Sequence, residues 1–410
     1  LMNIIGNSLK SLICALAALS FSAPLQADSL KSAATPDARI TMFEQSVRSL
    51  KDRKDPNAQR WSIEDRMKAY NVPGTSIAII QNGKIIHAKG YGLQSNNAST
   101  PVDRQTVFSA GSVSKVVNAA LILRLVQEGI LNLDQDVNSY LKSWKVPDGE
   151  YTRSKKVTLR HLLSHTSGFS QHGFPDFKPG EKLPTSIQTL NGIGPAKHRA
   201  VKLMFEPGQK MDYSGGGITV AQLVVEDVMG QHYNEVAKKY LFEPLGMKRS
   251  TFVNPLPETH GNIARSHNKK GKARALPRGY ESMPEMAASG LWTSAEDMAL
   301  FVQAVLINET FLSPEMRGEM LSRAPLSWHG MGPRLNGAEE TLVFHHGGAN
   351  DNYKSWIEGH PAHGNGIVIL TNGEAGRELG YEIRIAAGEA FGWSISFPED
   401  FSTPKFDTPK

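Results

Sequence analysis

Ser112 and Lys115 stand three residues apart in the stretch Phe108-Ser-Ala-Gly-Ser-Val-Ser-Lys115. Residues at i and i+3 of an α-helix share a face, so an amine placed there reaches the hydroxyl one turn earlier. A serine hydroxyl becomes a useful nucleophile when a neighbouring base takes its proton. Lysine can be that base where burial keeps it neutral, and a helix start offers N–H groups that stabilise negative charge. The pair therefore points to acyl transfer through a covalent serine intermediate. Four loosely specified positions also describe a capped helix with a solvated lysine. What favours chemistry is the neighbouring run, residues 116–126, which is apolar almost all round and predicts a buried helix.

An acyl-transfer site needs a second proton-handling group, a strand edge for the substrate and two N–H donors for the oxyanion. Tyr213, in Lys210-Met-Asp-Tyr-Ser-Gly-Gly-Gly217, is a candidate for the first, because a phenol beside an ammonium can lose its proton and act as a base. Taken alone, it also reads as a core tyrosine with its hydroxyl at the rim. The glycines after it are expected to open a loop before a helix starting at Thr219, letting backbone approach closely. His345-His-Gly-Gly348 is expected to end a strand. Its glycines would leave room for a substrate chain and His346 would add a polarising donor; a polar turn is the alternative. No His-Glu-x-x-His occurs and no acidic residue stands at zinc-helix spacing, so neither a metal nor another cofactor is expected.

Elements from both ends of the chain must bring these groups together. Ile40, Phe43, Val47 and Leu50 follow helical spacing. Residues 75–80 and 84–90, separated by Gln81-Asn82-Gly83, predict a hairpin, and the helix of residues 112–128 follows. From about 130 to 330 helical segments alternate with Pro/Gly loops, the longest being the proline-rich stretch 168–197. Thr293-Ser-Ala-Glu296 reads as a capping box opening a helix over 297–306. Strands return at 341–344, 353–357 and 366–370, before a helix over about 374–391. This order predicts an α/β (α+β) fold: an antiparallel sheet of N- and C-terminal strands, flanked by helices, with a mainly helical subdomain inserted at about 130–330.

Composition sets the class. The 410 residues are 40% hydrophobic and 21% charged with a formal net charge of +5, which fits a soluble globular protein. The densest basic cluster, residues 268–274, has no interleaved aromatics and reads as a solvated loop, so no nucleic-acid partner is expected. Lys10, an apolar segment over 12–21 and Ser-Ala-Pro-Leu-Gln-Ala27 read as a signal peptide (1–27), too short to span a bilayer comfortably. Its removal would leave one hydrolase domain (28–394), a polar tail (395–410) and no stable membrane span. The lone cysteine, Cys14, lies inside the leader. The mature chain would then suit a periplasmic or secreted location, with cysteine catalysis and thiolate metal sites excluded.

Taken in order, these motifs resemble the serine β-lactamase and penicillin-binding-protein superfamily, and within it the class C β-lactamase-like branch with its DD-peptidases, D-aminopeptidases and esterases. The likeness runs from about Val72 to Glu374. Ser112-Val-Ser-Lys115 matches the nucleophile motif, Tyr213-Ser-Gly215 the second motif, and His346-Gly-Gly348 the third, where Lys-Thr-Gly is usual. Residues 131–136, 161–168, 244–247 and 289–294 resemble family scaffold segments. His165 reads as a turn-capping histidine, and Asp134 and Asp136 as solvated caps. The resemblance implies these roles. Ser112 attacks the acyl carbonyl, Lys115 and Tyr213 move its proton, and the N–H groups of Ser112 and Ala349 hold the oxyanion. His346, Gly347, Gly348 and Gly215 contact substrate, and water releases the acyl group. The implied substrate is a small molecule or peptide of cell-wall type: a β-lactam, a D-amino-acid peptide or an ester. Two departures bear on that choice. Gly215 lacks the side-chain amide of a Tyr-x-Asn site. His346 is cationic only below about its ordinary pKa of ~6.5. A weakly catalytic penicillin-binding or peptidoglycan-sensing module is the rival reading.

Overall fold

In the computed structural model, residues 35–177, 180–273 and 285–393 are described; the expected leader and the tail from 395 lie outside them. Helices α1 (Pro36–Gln45) and α2 (Ile63–Ala69) come first. The hairpin follows, as expected. Asn82 and Gly83 carry φ of 50° and 71°, the paired left-handed residues of a tight hairpin turn, and join β1 (Gly74–Gln81) to β2 (Lys84–Gly92). A two-residue strand β3 (Phe108–Ser109) leads through a 3₁₀ turn at Gly111–Val113 into α3 (Ser114–Gln127). Eleven of the 14 residues of α3 are buried, as an apolar surface all round demands. The inserted region supplies α4 (Leu159–Leu163), α5 (Gly215–Met229) and α6 (Met286–Ser289). Next come β4 (Trp292–Thr293), paired with β3, and α7 (Ala295–Phe301). The chain then returns to the sheet through β5 (Arg334–Asn336), β6 (Val343–Asn350), β7 (Tyr353–His360) and β8 (Asn365–Thr371), and closes with α8 (Gly376–Phe391).

The main sheet has the order β2-β1-β8-β7-β6-β5, antiparallel throughout. Both ends of the chain therefore build one sheet. Alternation along the strands divides two cores. Ala78, Ile80, Val368 and Leu370 face the core that contains α3 and the inserted helices. Ile77, Ile79, Ile367 and Ile369 face a second core with α1, α2 and α8. Among the described residues no helix is long and apolar enough to cross a membrane.

Several local expectations are corrected. Helix α1 ends at Gln45, and Val47 reaches the core instead through a backbone bridge to Trp61. The cap of α7 sits one residue later than the capping-box pattern suggests, with Ser294 Oγ accepting from Asp297 N–H at 3.1 Å. The long 168–197 stretch contains a short helix, Ser186–Asn191, and buries Phe169, Phe177 and Leu190. Strand β6 does not end at the histidine–glycine run but continues through it to Asn350, because its partner β7 stays in register to Tyr353. The Gly215–Gly217 run is the first turn of α5 and not a loop before it; Ser214 caps the helix by accepting from Gly217 N–H at 2.8 Å. Asp136 caps a short 3₁₀ helix through Asn138 N–H (2.9 Å), whereas Asp134 is paired with Arg160 (2.7 Å).

Candidate active site

Ser112 stands where β3 turns into α3. Gly111 takes φ +51°, and a Cβ there would lie 2.5 Å from the backbone nitrogen of Ala349. Only glycine lets the nucleophile turn come this close to the edge of β6. Side chains lock the turn from several directions. Ser114 Oγ donates to Gly111 carbonyl (2.6 Å) and accepts from Leu291 N–H (3.0 Å). Ser355 Oγ donates to Ala110 carbonyl (2.7 Å), and Asn350 Nδ2 donates to Ser109 Oγ (2.8 Å) and Ser289 carbonyl (2.7 Å). The segment around 289–294 thus acts as scaffold for the turn.

Lys115, one turn into the helix, is 2% exposed. Its Nζ lies 3.1 Å from Ser112 Oγ and donates to Ala288 carbonyl at 2.6 Å. That second bond fixes the amine from α6, about 170 residues away along the chain. Nζ also sits 4.9 Å from the centre of the Tyr213 ring. The three groups expected to cooperate are therefore adjacent. The phenol, however, presents its ring to the amine, and its hydroxyl has no hydrogen-bond partner among the described residues.

Tyr213 lies in a nest of imidazoles. Ring centres of His165, His172, His329 and His346 are 4.2, 4.7, 5.9 and 6.2 Å from its own. His165 is indeed a capping histidine: its Nδ1 accepts from Ser214 N–H at 3.1 Å, which leaves the proton on Nε2. His329 and His346 have the opposite tautomer, since each Nδ1 donates to a carbonyl, of Gly332 (3.0 Å) and Gly347 (2.8 Å). The Nε2 atoms of all three are buried without a partner among the described residues. Burial, then the positive field of Arg334 and Lys115 together with the neighbouring imidazoles, pushes His346 well below its ordinary value. Burial and Arg334 push His329 down to about 3.

Among the residues bordering a cavity of about 390 Å³ are Ser112, His172, Tyr213, Arg334, Gly347, Gly348 and Ala349. Beyond the β6 edge it continues to Lys354, Trp356, Arg377 and Tyr381. Strand β6 is covered by β5 only at residues 343–345, so its side from 346 to 350 is open towards this space. Two expected substrate contacts are absent from the lining. His346 is 1% exposed and neutral, because the strand pleat turns it into the protein while Gly347 and Ala349 turn out. Gly215 is covered: a Cβ there would meet the His172 carbonyl oxygen at 3.0 Å and Phe174 Cε2 at 3.1 Å. Of the cations bordering the cavity, Arg334, Lys354 and Arg377, it is Arg334 that stands beside Tyr213, with its Cζ 5.7 Å from the ring centre, and its Nε has no partner among the described residues. Sequence reasoning passed over Arg334, because one arginine after a Gly-Pro pair carries no motif. It also passed over His172, which is hidden in a proline-rich loop.

Residues 62–390 match the family described as Beta-lactamase. The chain is 26% identical over 320 residues to Protein flp of Staphylococcus aureus (strain MW2), covering 76% of this chain and 61% of that protein. It is 28% identical over 272 residues to the putative penicillin-binding protein PbpX of Bacillus subtilis (strain 168), covering 66% and 64%. The chain thus spans about three-fifths of the length of these curated relatives. Among solved structures, an octameric penicillin-binding protein homologue from Pyrococcus abyssi superposes with a TM-score of 0.66 at 27% identity, over 81% of this chain and 76% of that one. A β-lactamase/D-alanine carboxypeptidase from Yersinia pestis shares the fold, with a TM-score of 0.62 at 16% identity over 80% and 97%.

Proposed function

The chain belongs to the β-lactamase family, and on that premise we propose that it is an exported serine hydrolase forming an acyl-enzyme at Ser112. Its preferred substrates are amides or esters that carry a carboxylate, with D-amino-acid peptides ahead of β-lactams. One observation carries the reading: Lys115 Nζ, tethered to Ala288 carbonyl, is held 3.1 Å from Ser112 Oγ beside an open strand edge. In the step, Lys115 acts as the free amine: Ser112 Oγ attacks the acyl carbon while its proton passes to the Nζ lone pair along that contact. The carbonyl oxygen becomes negative against the N–H groups of Ser112 and Ala349. The bond to the leaving nitrogen or oxygen breaks, and the leaving group takes a proton delivered through Tyr213. A water molecule then adds to the ester and restores Ser112.

The preference for a carboxylate rests on Arg334. A guanidinium at a cavity wall, with no carboxylate partner among the described residues, is suited to a substrate anion, and neutral His346 cannot take that part. The preference against β-lactams rests on position 215, where no side chain can face the cavity.

The test is incubation with a D-alanyl peptide, a nitrophenyl ester and a fluorescent penicillin, with Ser112→Ala as control. Product from the peptide or ester that vanishes in the variant supports the proposal. Absence of both product and label defeats it. A label that persists without turnover supports a weakly catalytic penicillin-binding module, a reading favoured by a Tyr213 hydroxyl that has no partner among the described residues.

A further inference from the structure

Helix α6 is a single turn, and a single turn does not hold its own shape. Its placement nevertheless decides where the Lys115 amine sits, because Ala288 carbonyl accepts from Nζ at 2.6 Å. The end of the turn is fixed from β6 and α3: Asn350 Nδ2 donates to Ser289 carbonyl (2.7 Å), and Leu291 N–H donates to Ser114 Oγ (3.0 Å). The start is fixed from α5. The first N–H groups of a helix lack partners inside it, and here Ala287 N–H donates to Gln222 Oε1 at 2.9 Å. Gln222 is fully buried, lies nine residues after Tyr213, and is not among the described residues that border the cavity. Two acceptors set its amide the right way round. Its Nε2 donates to Ser186 Oγ (3.4 Å) and Glu226 Oε1 (3.5 Å), which leaves Oε1 for the N–H of Ala287.

We propose that Gln222 is a positioning residue for acylation: it pins the start of α6 so that Ala288 carbonyl holds the Lys115 amine against Ser112 Oγ. The inference rests on the hydrolase reading for the step it serves, but not for the contact it makes. A free amine has two N–H bonds and one lone pair. Anchoring one N–H on a fixed carbonyl restricts the directions the lone pair can take, and the lone pair must point at the serine proton. Ala287 N–H and Ala288 carbonyl belong to neighbouring peptide groups of one turn, so a pull on the first reorients the second. The arrangement also ties two groups of the site together. Helix α5 follows Tyr213 directly, and through Gln222 the same helix sets the tether of Lys115.

The experiment starts from Gln222→Met, which keeps the length of the side chain and removes its polar atoms. Single-turnover acylation, with whichever of a nitrophenyl ester and a fluorescent penicillin the wild type accepts, separates the affinity of the first complex from the acylation rate constant. The rate constant falls about tenfold or more, the order of loss when a reacting group is slightly misplaced, and the affinity stays. Gln222→Glu at pH 6 regains most of the rate, because it keeps an oxygen for Ala287 N–H; Glu226, pushed up by burial to about 7, shares its proton with the added carboxyl. Gln222→Asn, one methylene too short to reach, behaves as the methionine variant does and replaces it if that variant does not fold. Leu223→Ala, a loss of packing on the same helix, lowers the melting temperature and spares the rate constant. An unchanged rate constant in Gln222→Met, an equal loss in Leu223→Ala, or no recovery in Gln222→Glu overturns the proposal. A second measurement does not depend on turnover. In a crystal structure of Gln222→Met, Lys115 Nζ lies beyond hydrogen-bonding reach of Ala288 carbonyl, and an unaltered contact refutes the proposal. If the wild type takes neither reagent but that contact still depends on Gln222, the hydrolase reading fails and the positioning role stands.

Discussion

The two faces of the main sheet bury charge in opposite ways. On the outer face, against α8, buried charges are matched. Glu382 is fully buried and accepts from Arg66 (2.7 and 3.0 Å), Tyr70 hydroxyl (2.7 Å) and Leu50 N–H (2.6 Å). Glu358 meets Arg384 at 2.7 Å and Trp356 Nε1 at 3.0 Å. Burial alone would raise the Glu358 carboxyl, yet Arg384 and the histidines beside it hold it down to about 2. On the inner face, around Tyr213, the groups are left unmatched. Among the described residues Lys115 has no carboxylate partner, Arg334 has none, and three imidazoles keep an idle Nε2. A buried ion without a counter-ion costs several kcal/mol. The outer pairs hold helices to the sheet, and the inner groups retain unused bonding capacity that a substrate can take up. The difference teaches where stability has been given up for chemistry.

The sharpest way to break this contrast is Lys115→Met. Acylation should fall by roughly three orders of magnitude or more, as in sites where serine and base act as a unit, while the melting temperature stays level or rises. A variant that acylates normally, or that unfolds, would erase the distinction; stopped-flow acylation and a thermal melt decide it. On the outer face Glu382→Ala should do the reverse. Urea unfolding should show about 3–5 kcal/mol of lost stability, the usual cost of breaking a buried pair, with kcat/KM per folded molecule nearly constant. Third, Arg334→Gln should raise KM for a carboxylate-bearing peptide about tenfold or more, the worth of a charge-assisted hydrogen bond at about 1.5–3 kcal/mol, and change a neutral ester far less. Equal effects on the two would place Arg334 with the structural charges.

The smallest effect is a pH dependence. His329, pushed down to about 3, is neutral in the fold but takes a proton in the unfolded chain below about 6.5. The unfolded state therefore binds more protons across that window, and stability falls as pH drops from about 6.5 towards 3. Glu358 acts lower. Its contribution is complete above its unfolded value of 4.5 and is lost as pH falls towards about 2. His329→Asn should remove up to about 1.4 kcal/mol per pH unit of slope between pH 6 and 4.5. Unfolding curves across that range check it, and an unaltered slope would refute the assignment.

Much of this was legible beforehand, for physical reasons. The Asn82-Gly83 turn, the apolar α3 and the alternating late strands are local patterns, and local patterns set local structure. The Ser112–Lys115 pair was legible because both residues ride on one helix. The expected contacts that do not line the cavity have another origin. Gly215 and His346 carried roles by resemblance, but whether a side chain reaches the cavity depends on strand pleat and on which loop lies over it. His172 was invisible because its position comes from hydrogen bonds to helix N–H groups more than forty residues away. Arg334 owes its place to the pairing of β5 with β6, a three-residue strand too short to announce itself.

The sequence alone determined the family, the sheet built from both chain ends, and a serine and a lysine one turn apart, because each follows from spacing that neighbours enforce. The tertiary structure decided which groups share the cavity. Close packing of segments distant in the chain settles which side chains are covered, which keep a partner, and which are left facing the substrate.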